Sequence, residues 1–343
     1  LNLKDRKIPL KILQEEAFLR NISLTCPERP KLENDCTRRK AGYWGETELN
    51  YYLKLLPHEG YFILNDLRLP FKSNYFQIDT LIITTRYILL IESKNMKGTL
   101  FFDREFNQLL RLNGDQEEAF KDPIAQVKTR ILKLKSLLAI LPLNIPVDYL
   151  ISIASSKTIL KTNSRHIDRV CHAYNIVHIL MKLDAQYHEE FLTTDQIFEI
   201  ANILLRFHTP SPFKNYHAFG LSLNDFLLGI YCPICNRKLH YNWGKWHCYT
   251  CSSESKEVYI QKIIDYFLIF GPEISNSQCK EFLGLPSEDL SFKLLSRLDL
   301  HSTGKGKRKR YHPPGPFENI EEWDMDKKLK STVLFQDGSW RQR

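Results

Sequence analysis

Phe76-Gln77-Ile78-Asp79-Thr80-Leu81-Ile82-Ile83-Thr84-Thr85-Arg86-Tyr87-Ile88-Leu89-Leu90-Ile91-Glu92-Ser93-Lys94-Asn95 is two apolar, β-rich runs around a short polar break. Central strands normally carry apolar residues on both faces. This pair plants Asp79, Glu92 and Lys94 in such runs. A hairpin turning symmetrically about Thr85-Arg86 pairs positions that sum to 171, which sets Asp79 opposite Glu92. Opposed residues share a face with Cβ atoms roughly 4.5–5.5 Å apart, and alternation adds Lys94 to that face. Two facing carboxylates repel unless a cation lies between them. Mg²⁺, a hard ion that takes oxygen ligands, fits that place, and a lysine beside it stabilises charge on a phosphate or orients a water. The plain alternative is a solvated strand face on which the three side chains pair with each other.

Four groups of residues follow one another in order: Gly42-Tyr43-Trp44-Gly45-Glu46, Gln77-Ile78-Asp79, Glu92-Ser93-Lys94-Asn95 with Gly98, and Asp122-Pro123-Ile124-Ala125-Gln126. In this they resemble the nuclease-related domain (NERD) family of the PD-(D/E)xK nuclease superfamily, over roughly residues 38–160. Ser93 stands where Val or Thr is expected, with its side chain on the opposite face. The resemblance implies an α/β (α+β) fold with a restriction-endonuclease-like mixed sheet flanked by helices. It implies a Mg²⁺ (or Mn²⁺) site held by Glu46, Asp79 and Glu92, with Lys94 and Gln126 completing the catalytic set.

The residues read independently in a compatible way. Leu49, Leu53 and Leu56 recur at helical spacing from Glu46 in a helix expected from about Trp44 to Leu56. A glutamate there is otherwise only a partner for the helix dipole. Residues 61–69 read as a strand ending at Pro70, and two more strands are expected around residues 99–103 and 108–112. Asp122 caps a helix with Pro123 in its first position. Gln126 lies in the first turn, while Lys128, Arg130, Lys133 and Lys135 occupy the remaining faces. Val147 to Ala154 and Tyr174 to Ile179 read as strands, and Asp195 to Phe207 as a helix.

Cys232-Pro233-Ile234-Cys235 and Cys248-Tyr249-Thr250-Cys251 form CxxC–x12–CxxC, the spacing of a closed structural Zn²⁺ site in a zinc ribbon. Three helical patterns follow, about Glu257–Phe270, Ser275–Leu283 and Ser287–Leu298, and then a basic hairpin. That order suggests a winged-helix-like domain. Lys305, Lys307, Arg308, Lys309 and Arg310 at its tip are candidate nucleic-acid contacts, or else a basic loop without a fixed partner. The expected domains are an N-terminal extension (1–37), the nuclease-like domain (38–208), a linker (209–229), the zinc ribbon (230–254), the winged-helix-like domain (255–312) and a tail (313–343). Arg38-Arg39-Lys40 read as phosphate contacts or as a solvated basic linker.

The 343 residues carry a net charge of +8, which favours a polyanionic partner, nucleic acid and DNA first. No apolar run is long enough to span a membrane, and the start of the chain lacks a signal-peptide core, so the cytoplasm is the default location. The reading is a Mg-dependent nuclease. The alternative is a non-catalytic DNA-binding or adaptor protein on the same fold. The oligomeric state has no sequence signal.

Overall fold

In the computed structural model, which describes residues 1–323 and 325 apart from 58, 59, 142, 143 and 166, the quoted stretch forms two paired strands. In chain order the first half contains β1 (Asn2–Lys4), α1 (Leu10–Asn21), α2 (Arg29–Leu53), β2 (Phe62–Phe71), β3 (Asn74–Ile83), β4 (Ile88–Lys94), β5 (Thr99–Asp103), β6 (Gln108–Asn113), β7 (Gln116–Lys121), α3 (Pro123–Leu138), β8 (Val147–Ile153), β9 (Ile159–Thr162), β10 (Val170–His172), α4 (Ile176–Gln186) and α5 (Thr194–Phe207). The second half contains β11 (His240–Asn242), β12 (Lys245–His247), β13 (Glu254–Ser255), α6 (Val258–Phe270), α7 (Asn276–Leu283), α8 (Glu288–Leu295), β14 (His301–Thr303) and β15 (Arg310–His312). The chain divides into two compact units. One is Leu1–Lys7 with Arg38–Ser211, and the other is Ile8–Thr37 with the described residues from Pro212 on. Residues 1–37, expected as one extension, are thus divided between the two units.

The first unit is built on a mixed sheet in the order β1-β2-β3-β4-β8-β10, antiparallel from β2 to β4 and parallel from β4 to β10. β3 and β4 pair as Thr80↔Ile91 through Ile83↔Ile88, sums of 171. β4 is buried on both faces because its side chains alternate between two cores. Ile88 and Leu90 pack in the cluster with Ile124, Val127 and Ile131 of α3 and Ile197 and Leu204 of α5. Leu89 and Ile91 pack with Leu49 and Leu53 of α2 and Ile176, Leu180 and Leu183 of α4. A second sheet, β7-β6-β5-β9, stands beside it. Its β7 and β9 have no counterpart in the sequence reading: Gln116–Lys121 is exposed throughout and gives no apolar period, and Ile159–Thr162 is only four residues long.

Three local expectations change. α2 begins at Arg29 rather than Trp44, so Arg38-Arg39-Lys40 are helical and not a linker. Pro70 does not end β2; it pairs with Tyr75, and the strand turns at Lys72, whose φ is +53°. The expected strand at 174–179 is the start of α4, whose buried Ile176, Leu180 and Leu183 follow helical spacing. Asp122 caps α3 by accepting from the backbone N–H groups of Ile124 (3.0 Å) and Ala125 (3.2 Å), a cap of about 1 kcal/mol.

In the second unit α6 is buried nearly all round, as its apolar sequence requires. Asp265 on α6 is 2% exposed. It accepts from Arg20 Nη2 (2.7 Å) and Asn21 Nδ2 (2.7 Å) of α1. Lys262 donates to Asn21 Oδ1 (2.6 Å) and to the Leu227 carbonyl (3.1 Å). α7 starts with a Ser275–Gln278 capping box, and α8 with a Ser287 cap. β14 and β15 pair from His301↔His312 to Thr303↔Arg310, and Tyr311 exchanges backbone hydrogen bonds with Ile274. The segment from residue 326 on, including Trp340 of the expected tail, lies outside the described residues.

Burial drives the Lys262 ammonium from 10.5 down to about 8, with the Asp265 charge opposing. Between those values the unfolded chain holds a proton that the folded chain has released, so stability rises with pH. Urea unfolding of wild type and Lys262→Met between pH 8 and 10 should show the wild type gaining on the variant, by up to about 1.4 kcal/mol per pH unit. A difference that stays flat across this window would contradict the assignment.

Candidate functional site

The β3–β4 ladder stops at Thr80↔Ile91, one pair short of Asp79 and Glu92. There the Asp79 carboxylate turns between the strands and accepts from the Ser93 backbone N–H (3.0 Å). Glu92 is buried, 3% exposed. Lys94 lies on its face, with Nζ 2.8 Å from Glu92 Oε1 and 3.5 Å from Gln126 Oε1 in the first turn of α3. Arg130, one turn further along α3, pairs with the other oxygen of Glu92.

Glu46 reaches this place from α2, on the opposite face of the sheet. Two motif residues make its approach possible. A Cβ on Gly45 would lie 2.6 Å from Asn95 Cβ and 3.3 Å from Ala154 Cβ, so only glycine lets α2 come this close to the strand ends. Asn95 then ties the helix down by donating to the Ala41 carbonyl (2.7 Å). Gly98 has φ +97°, and a side chain there would strike the Leu112 carbonyl at 2.3 Å.

Sequence reasoning missed Arg6 and Asp66. β1 runs parallel to β2 and carries Arg6 into the cluster. Its guanidinium pairs with Glu46 (2.6 Å) and Asp66, and donates to the Asp79 carbonyl (2.9 Å) and Thr80 Oγ1 (2.8 Å). Asp66 interrupts β2 with φ +53°. Nothing in the charged first residues marks Arg6. Arg130 did carry a signal, since it stands four residues after Gln126 and so shares its helix face.

The electrostatics bear the mark of crowded acids. Burial and the Asp79 charge push Glu46 up to about 8 against the pull of Arg6. Burial pushes Asp66 up to about 6, with Arg6 opposing. Burial lowers the Lys94 ammonium, while Asp79 and Glu46 hold it up. Four carboxyls, those of Glu46, Asp66, Asp79 and Glu92, thus meet three cations, Arg6, Lys94 and Arg130.

Among the described residues, two groups of three or more His, Cys, Asp or Glu have all ligand atoms within 4.8 Å of one another. They are Cys232, Cys235, Cys248 and Cys251, and Cys26, Glu28 and Asp225. Glu46, Asp79 and Glu92 do not form such a group, because Arg6 draws Glu46 aside and Lys94 and Arg130 engage Glu92. The donor chemistry nevertheless fits a hard divalent cation. Every donor is a carboxylate oxygen, and the Asp79 repulsion that adds to burial in raising Glu46 is what such an ion relieves.

This geometry can be set beside known proteins. Residues 41–154 match the nuclease-related domain, NERD. The matched span runs from α2 to the end of β8, and so takes in Glu46, Asp79, Glu92, Lys94 and Gln126 while leaving out Arg6. No curated protein and no solved structure matches the chain. The NERD match supports a nuclease-related function for this segment.

The four cysteines of the second unit are a separate cluster. Cys232 and Cys251 Sγ are 3.5 Å apart, and Cys235 and Cys248 Sγ are 3.3 Å apart. A tetrahedron with Zn–S of about 2.3 Å has edges of about 3.8 Å. The two CxxC turns share one backbone path. Asn236 N–H donates to the Cys232 carbonyl and Ser252 N–H to the Cys248 carbonyl, both at 2.9 Å, and both donors have positive φ, +54° and +57°. Burial alone would raise the Cys232 thiol. The Ser253 hydroxyl and the N–H groups of Cys235 and Ile234 overcome that and bring it to about 6, suited to a thiolate ligand. His247, beside the set, instead pairs with Glu254 (2.9 Å).

At the β14–β15 hairpin Lys305, Lys307 and Arg308 are exposed. Lys309 lies over the rings of Tyr311 and Phe292, and Arg310 pairs with Glu273 (3.1 Å). Three of the five expected cations are therefore free to face a partner. No helix among the described residues is long and apolar enough to cross a membrane.

Proposed function

We propose that the first unit is a metal-dependent nuclease that hydrolyses phosphodiester bonds in DNA. The observation that carries this reading is the convergence of Asp79 and Glu46 with Lys94 at the splayed end of the β3–β4 ladder. Glu46, Asp79 and Glu92 would hold Mg²⁺ or Mn²⁺. When bound, the ion supplies Lewis-acid polarisation of the phosphate and lowers the pKa of an attacking water. Lys94, beside Asp79 and Glu46, stabilises negative charge on the phosphoryl oxygens. Gln126, 3.5 Å from the Lys94 ammonium, orients a water or a phosphate oxygen next to it. The burial of Glu92 keeps bulk water from screening these charges.

In the second unit the four cysteines would hold a structural Zn²⁺ in a zinc ribbon. The α6–α7–α8 helices with the β14–β15 hairpin would act as a winged helix, with Lys305, Lys307 and Arg308 on DNA phosphates.

One observation favours a second reading. Arg6 and Arg130 already neutralise Glu46 and Glu92, as they would in a nucleic-acid-binding protein without catalysis. Incubation of the purified chain with single- and double-stranded DNA and with RNA, with Mg²⁺, with Mn²⁺ and with EDTA, separates the two. Cleavage that needs the metal is expected. Salt-dependent DNA binding with neither cleavage nor Mg²⁺ binding by calorimetry would favour the binder.

A further inference from the structure

An open cleft of about 660 Å³ runs along the first unit between the β2–β3 hairpin and α3. One wall carries Arg68 and Tyr75; the other is the α3 face of Gln126, Thr129, Arg130 and Lys133, spaced three and four residues apart. Among the residues lining it there are three cations and no aspartate or glutamate. The cleft exists because β3 outruns its partner. Its pairing with β4 begins only at Thr80, while its pairing with β2 continues to Asn74. Its inner end meets the candidate site, since Gln126 approaches Lys94 and Arg130 pairs with Glu92.

Tyr75 gives the cleft a second character. Tyr75 is 47% exposed, and the Arg68 guanidinium lies over its ring at 3.7 Å. The Arg68 side chain is itself held by hydrogen bonds to the Thr209 (3.2 Å) and Pro210 (3.3 Å) carbonyls. A cation-backed aromatic in a basic trough offers a flat π surface that a base can use only when it is not stacked in a duplex.

We infer that this cleft binds an unpaired polynucleotide strand, with a base stacked at Tyr75 and the backbone phosphates along Arg130 and Lys133, leading the strand to the Asp79 carboxylate. This deepens the nuclease reading by naming the form of its substrate, and it rests on that reading for the strand's destination. The strand contributes phosphates and π faces whether its sugar is deoxyribose or ribose.

Fluorescence anisotropy with the full chain and no added Mg²⁺ or Mn²⁺ tests the inference apart from catalysis, using labelled oligo-dU, oligo-U and a duplex of equal length. Tyr75→Ala should weaken single-strand binding about 10-fold while leaving the duplex nearly unaffected. Tyr75→Phe should bind like wild type, and Lys133→Gln should weaken the single strand in the same direction as Tyr75→Ala. The tighter of oligo-dU and oligo-U, which share a base, identifies the favoured sugar. Wild-type binding of both single strands by Tyr75→Ala, or an equal loss on the duplex, overturns the proposal. A chain that never cuts but loses single-strand binding with Tyr75→Ala keeps the cleft and removes the nuclease. A chain that cuts and ignores Tyr75→Ala does the reverse.

Discussion

Asp79→Asn is expected to lower Mg²⁺- or Mn²⁺-dependent DNA cleavage by about 10³-fold. The substitution keeps the shape of the side chain and an oxygen able to accept from the Ser93 N–H, so the splayed strand end stays in place. What it removes is a negative charge. That charge adds to burial in raising Glu46 to about 8, and it helps hold up the Lys94 ammonium. The variant is therefore expected to bind Mg²⁺ much more weakly while melting within a few degrees of wild type. Initial rates on a labelled oligonucleotide, with calorimetric metal titration and a thermal melt, measure all three. Cleavage by Asp79→Asn at the wild-type rate would remove this carboxylate from the chemistry, and the proposed mechanism with it. A collapsed melt with lost cleavage would point to a structural role, and Asp79→Glu then separates charge from fit, because it restores the charge on a longer arm.

The physics of strand pairing explains how much of this was legible. The β3–β4 register could be read because apolar runs on both sides of Thr85-Arg86 allow little slippage without exposing a face. The α3 start could be read because Asp122-Pro123 is a local signal, complete within two residues. What stayed hidden is non-local. Arg6 enters the site through a three-residue strand pairing across some sixty positions of sequence, and no window of the chain contains both partners. The cleft beside α3 follows from β3 being longer on one side than on the other, which only the assembled sheet reveals. The start of α2 at Arg29 was missed because its first half is polar and lacks a buried stripe dense enough to read as a period.

The cysteine cluster leads to the other large effect. Each Sγ lies close to its neighbours with no disulfide, and four thiol groups packed this way fit a shared ion. The strands β11 and β12 beside the cysteines have three residues each, too short to be stable as an isolated hairpin. Yet Trp246, Cys232, Cys248 and Leu239 are buried in the same cluster as Ile263 and Phe267 of α6, so loss of this segment exposes one edge of the second unit's core. The proposed Zn²⁺ would therefore link metal binding to folding here. Cys248→Ser should take zinc content from about one ion per chain to near zero and lower the melting temperature of the second unit by more than about 10 °C. Cys26→Ser, outside the set but part of the Cys26–Glu28–Asp225 group, should leave the zinc content unchanged. Elemental analysis of chelator-washed protein, read beside calorimetry, decides the matter. Full zinc retention by Cys248→Ser would rule out the four-thiolate site, and zinc lost with Cys26→Ser would move it to the carboxylate-rich group.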